Sequence, residues 1–127
     1  MHYSIEVMQE TGFIKVTTTG EWIKERDDNL GREIMKTIAS TGIRKVLIDM
    51  RELQFDLPLF TIFQRAQELR DQRLEYNTLS GKVALVYTAK DKKTNDDFSF
   101  FETTAQNRGL PYRTFQQMET ALEWLTS

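Results

Sequence analysis

A chain of 127 residues with 17 basic and 19 acidic side chains, a net charge of −2 and no cysteine has room for one hydrophobic core, and it has no disulfides, thiolate nucleophiles or cysteine-ligated metals. The two signs of charge are interspersed, which argues against broad attraction to nucleic acid or an anionic membrane, and the lack of cysteine fits a reducing, cytoplasmic setting. Residues 1–10 lack the basic-then-apolar pattern of a secretory signal and no run of about 18 apolar residues occurs, so neither export nor a membrane span is expected.

Residues 3–8 and 13–19 alternate β-branched or aromatic side chains with polar ones around Glu10-Thr11-Gly12, which predicts two antiparallel strands joined by a hairpin turn. After Gly20, Asp27-Asp28 offers an N-cap, and Leu30, Ile34 and Ile38 recur every four residues, so a helix is expected that stops at Gly42. Residues 45–50 hold the unbroken apolar run Val46-Leu47-Ile48 of a strand covered on both faces, hence central and parallel. Asp56 is placed to cap a second helix with Pro58 in its first turn. Leu59, Ile62, Phe63, Ala66 and Leu69 then share one inward stripe as far as about Arg73. Ser80-Gly81 precedes a buried-type strand over 82–87. A third helix is expected from about Asn95, with Phe98, Phe101 and Ala105 inward and Gly109 as its stop. Residues 111–115 read as an edge strand entered by a proline, and a last helix over 118–125 turns Met118, Ala121, Leu122 and Leu125 to the core. The order β-β-α-β-α-β-α-β-α describes one α/β domain over residues 1–127, a mixed sheet packed by helices without repeats or dividing linkers.

This order, together with the segment Val46-Leu47-Ile48-Asp49-Met50-Arg51-Glu52-Leu53-Gln54-Phe55-Asp56, resembles the STAS domain, the fold of bacterial anti-sigma-factor antagonists. Arg113-Thr114-Phe115 followed by Ala121-Leu122-Glu123-Trp124-Leu125 is similar to the closing pattern of divergent STAS-like proteins grouped with the lipid-binding Sec14 domains. Where the antagonists carry a phosphorylated serine directly after an aspartate, this chain reads Asp56-Leu57-Pro58-Leu59, and leucine has no hydroxyl to accept a phosphoryl group. Thr61, one helical turn further on, is the substitute that the resemblance leaves open.

Catalytic signals are sparse. The only histidine, His2, sits at a terminus expected to fray. Asp49, Arg51, Glu52 and Asp56 gather at the carboxyl end of the central strand, where α/β sheets bind ligands, but solvated loop charges and helix caps explain them as well. No glycine-rich phosphate loop is present, and the lysines of Lys90-Asp91-Lys92-Lys93 are diluted by nearby acids. No cofactor or metal is expected, and no enzyme activity.

Apolar excess carries more. Phe60 falls about 100° round the helix from the inward stripe, and Phe100 lies off the stripe of the third helix. If Leu57, Phe60, Phe100 and Trp22 converge, they form an interface or a ligand cleft; otherwise a wide two-sided core absorbs them. The expected function is a non-enzymatic STAS-like interaction or regulatory module lacking the usual phosphoacceptor, which meets a protein partner or a second copy of itself through Trp22, Asp56, Leu57, Pro58, Phe60, Thr61 and Phe100. The alternative is a small carrier or sensor of a lipid or other apolar ligand. A weaker one is an anti-sigma-factor antagonist phosphorylated on Thr61.

Overall fold

In the computed structural model, which describes residues 1–77 and 81–127, the two alternating segments pair as β1 (His2–Met8) and β2 (Phe13–Glu21), antiparallel from His2↔Thr19 to Met8↔Phe13. Gly12 turns the hairpin at φ 76°, a left-handed conformation that glycine adopts without strain, and its N–H donates to Met8 O at 2.8 Å. His2 is therefore a paired strand residue and not part of a frayed end.

β2 leads into α1 (Lys24–Thr41), then β3 (Lys45–Gln54), α2 (Leu59–Glu75), β4 (Val83–Val86), α3 (Lys92–Asn107), β5 (Tyr112–Phe115) and α4 (Met118–Thr126). The strands lie in the order β1-β2-β3-β4-β5, with every pair after the hairpin parallel, so β3 is the inner parallel strand that its apolar run requires. The period of two divides the strand residues between two layers. Ile14, Val16, Val46, Val83 and Leu85 pack under α1, α2 and α3, whereas Phe13, Leu47, Ala84 and Val86 pack against Ala121 and Leu125 of α4.

Several boundaries differ from the sequence reading, each for a local reason. α1 starts at Lys24 with Ile23 at its N-cap, so Asp27 and Asp28 sit inside the helix and do not cap it. α2 starts after Pro58, with no side-chain cap; Asp56 instead meets Lys93 Nζ of α3 at 2.9 Å. α3 starts earlier than Asn95 because Asp91 caps it, its carboxylate accepting the Thr94 N–H and hydroxyl, both at 2.8 Å. β3 runs on to Gln54, which puts Asp49, Arg51 and Glu52 on the strand and not in a loop. Gly42 does end α1, at φ 75° with its N–H donated to Ile38 O. Ser80 lies outside the described residues.

Candidate functional site

A one-residue irregularity in β3 builds the site. Thr17 of β2 pairs with Asp49, but Thr19 pairs with Glu52, so three residues of β3 span the length of two of β2. Before this bulge Val46, Ile48 and Met50 face α1 to α3; after it Leu53 and Phe55 take that side, while Glu52 and Gln54 turn to solvent. Regular alternation would have sent Glu52 and Gln54 inward. The buried Thr18 hydroxyl donates to Asp49 O at 3.0 Å beside the bulge, giving that carbonyl a partner.

Above these residues the helices do not close on the sheet. A cavity of about 130 Å³ remains between β3 and the helices, walled by Leu30 and Ile34 of α1, Ile62 and Leu69 of α2, and Phe98 and Phe101 of α3. Ile48 and Met50, on the inner strand and beneath helices, keep partial exposure for this reason. Gly31 of α1 also lines the space. A Cβ there would lie 2.6 Å from Gln72 Oε1, so the glycine admits a polar α2 side chain against α1, at a helix-propensity cost of about 1 kcal/mol.

Polar groups mark two ends of an otherwise apolar wall. At one end Arg65 of α2, 12% exposed, reaches α1: its Nη2 lies 2.7 Å from Asp27 Oδ2 and its Nη1 2.6 Å from Asp28 Oδ1, with Glu68 Oε2 at 2.9 Å. Burial pushes the Asp27 carboxyl up, against the pull of Arg65 and a hydrogen bond from the Trp22 side chain. Burial acts the same way on Asp28, but there the hydrogen bonds donated by Lys24 and Arg65 prevail and hold the carboxyl below its usual range. The Arg65 Nε is buried and has no hydrogen-bond partner among the described residues. At the other end Arg73, 1% exposed, stacks over the Tyr112 ring at 5.6 Å and donates to Tyr112 Oη at 3.4 Å and to Gly81 O at 3.2 Å.

Two solved structures share this architecture along nearly their whole length. One is an anti-sigma factor antagonist from Mycobacterium paratuberculosis, 13% identical, with a TM-score of 0.60 over 99% of this chain and 96% of that one. The fold is STAS-like. The other is an uncharacterized protein with a SpoIIAA-like fold from Shewanella loihica PV-4, 17% identical, with a TM-score of 0.58 over 98% of this chain and 92% of that one. No protein-family model and no curated protein matches the sequence.

Within this STAS-like domain the residues singled out from sequence separate into three groups. Trp22 and Leu57 line the cavity, both half-buried. Phe60 is 68% exposed on the outside of α2, Pro58 is exposed just before it, and Thr61 and Phe100 are half-buried away from the cavity wall. Asp56 is tied to Lys93, which Asp97 also holds at 2.7 Å; these two carboxylates raise the Lys93 ammonium above its ordinary value. Lys92 likewise meets Asp96 at 2.8 Å, so the basic loop is largely neutralised.

The inward stripe of α2 needs correcting. Ile62 and Ala66 are buried, but Leu59 and Phe63 are 56% and 44% exposed, and Arg65, Gln72 and Arg73 take the inward positions further along. Arg65, Gln72, Arg73 and Asp97 are thus cavity residues that the apolar pattern missed. Their signal was present in the spacing: 62, 65, 66, 69, 72 and 73 continue one helical face through polar residues.

Proposed function

We propose that this STAS-like domain is a non-enzymatic binding module that takes up a small apolar molecule between β3 and helices α1 to α3. The observation that carries this reading is the cavity of about 130 Å³, roofed by three helices and lined mainly by aliphatic and aromatic side chains. Close-packed interiors rarely leave such a space, and an apolar cavity of about 150 Å³ in another protein stays dry and accepts benzene or xenon. The bulge that turns Leu53 and Phe55 inward serves the apolar wall, and bulges often re-aim side chains at functional sites. His2, the only histidine, lies on an edge strand and contributes nothing to the wall. Native mass spectrometry of freshly purified protein is expected to show a bound apolar species that solvent extraction removes. A clean apo mass that stays unchanged in toluene-saturated buffer counts against the reading.

A second reading, contact with a protein partner, is favoured by Leu59, Phe60 and Phe63, three large apolar side chains exposed along the first turns of α2. The likeness to an anti-sigma factor antagonist supports a regulatory part of this kind. The position after Asp56 is Leu57, whose side chain goes to the cavity wall, so the interaction we propose does not depend on phosphorylation there. Light scattering at high concentration, with and without Phe60→Glu, tests for self-association through this edge. A monomer in both cases removes the second copy as the partner.

A further inference from the structure

We infer that the outer edge of β1 is where two copies of this chain join, strand to strand and antiparallel about Ser4, so that the two sheets run on into one. The inference is independent of what the cavity holds. It starts from the two edges of the sheet, β1 and β5, which the fold treats differently. β5 is four residues long and is entered by Pro111, and its outer backbone groups are taken by α3: the Thr114 N–H donates to Glu102 Oε1 at 2.8 Å, and Gln106 Nε2 donates to Tyr112 O at 3.0 Å. An edge covered in this way does not template another strand.

β1 has none of these devices. It is seven residues long, its pairing with β2 runs without a bulge from His2↔Thr19 to Met8↔Phe13, and it holds neither proline nor lysine. Among the described residues no side chain bonds the backbone of residues 2–7; Arg26 Nε reaches only Met1 O, at 3.2 Å. The strand also complements itself. His2, Ser4 and Glu6 are exposed on one face, and Tyr3 and Ile5 are half-buried under the helix layer on the other. A dyad at Ser4 sets His2 opposite Glu6 of the second copy, an imidazole N–H donor against a carboxylate acceptor. It also sets Tyr3 opposite Ile5, which carries the apolar layer across the seam, and each pair occurs twice. A dyad at Ile5 leaves Glu6 facing a serine, and one at Glu6 sets two carboxylates face to face, so the side chains choose the register.

Sedimentation equilibrium over a concentration series gives the dimer constant for the parent chain, Glu6→Lys, His2→Glu and the double variant. Four residues of strand hold positions 2 and 6 about 13 Å apart, so no contact within one chain can restore what each single change loses. Each single variant is expected to dimerise at least about tenfold more weakly, since its mismatch is met twice, and the double variant, with the pair exchanged, to return to within about threefold of the parent. Independently of the variants' folding, the outward amides of β1 in the parent are expected to exchange more slowly as concentration rises, while those of β4 do not change. A monomer at every concentration, a dimer constant that the single changes leave alone, or no recovery in the double variant overturns the inference. So does a dimer that only Phe60→Glu disrupts, which belongs to α2.

Discussion

Arg65 of α2 and Asp27 of α1 meet at 2.7 Å on the wall of the cavity, and with Asp28 and Glu68 they tie together two helices that otherwise leave a gap above the sheet. Removing the cation leaves three carboxylates close together. Breaking a fully buried ion pair costs about 3–5 kcal/mol. Asp28 and Glu68 keep solvent access here, so Arg65→Leu is expected to lose about 2 kcal/mol by urea denaturation. A loss within about 0.5 kcal/mol, typical of a surface residue, would show that the cluster does not hold the helices.

The two aspartates on that guanidinium respond to pH in opposite senses. Burial raises the Asp27 carboxyl, so its contribution is full below the unfolded value of about 3.9 and is lost as pH rises through the raised folded value. Asp28 is lowered, so its contribution is present above about 3.9 and is lost as pH falls through the depressed folded value. Denaturation at pH 3 and pH 7 is expected to show Asp27→Asn gaining on the parent as pH rises, and Asp28→Asn losing ground. Both variants drifting the same way would contradict the assignment.

Consecutive residues of β3 test the asymmetry of the two layers. Leu47 is fully buried against α4, so Leu47→Phe overpacks and is expected to cost about 1–3 kcal/mol. Ile48 faces the cavity, so Ile48→Phe has space to enter and is expected to stay within about 1 kcal/mol of the parent or gain stability. Equal losses for the two would mean that the space above Ile48 is filled.

On α2 the contrast lies between Phe60 and Ile62. Phe60→Ser is expected to change stability by less than about 0.5 kcal/mol, since the ring is 68% exposed. Ile62→Ala should cost about 2–3 kcal/mol, the lower part of the range because the side chain already borders a cavity. Thermal denaturation of the pair distinguishes this helix orientation from one with Phe60 inward.

The architecture was legible because its signals are local. Apolar runs at Val46-Leu47-Ile48 and Val83-Ala84-Leu85-Val86 mark strands covered on both faces, and Gly12 and Gly42 supply the left-handed turns that end β1 and α1. The site was less legible because it depends on relations between elements. Apolar spacing assigned Leu59 and Phe63 inward, yet the helix turns Arg65, Gln72 and Arg73 to the interior, where Asp27, Tyr112 and a gap made by Gly31 receive them. The bulge between Asp49 and Glu52 comes from pairing with β2, and nothing in the order Asp49-Met50-Arg51-Glu52 announces it. A stripe of apolar residues also states which face is inward without stating whether the space it faces is full.

Diffraction from crystals of the protein held under xenon pressure reads that space. A xenon peak is expected between Ile48 and Met50 of β3 and Ile62 and Leu69 of α2, with the surrounding side chains unmoved. No peak there, with the helices closed onto β3, would contradict an apolar binding cavity in this fold.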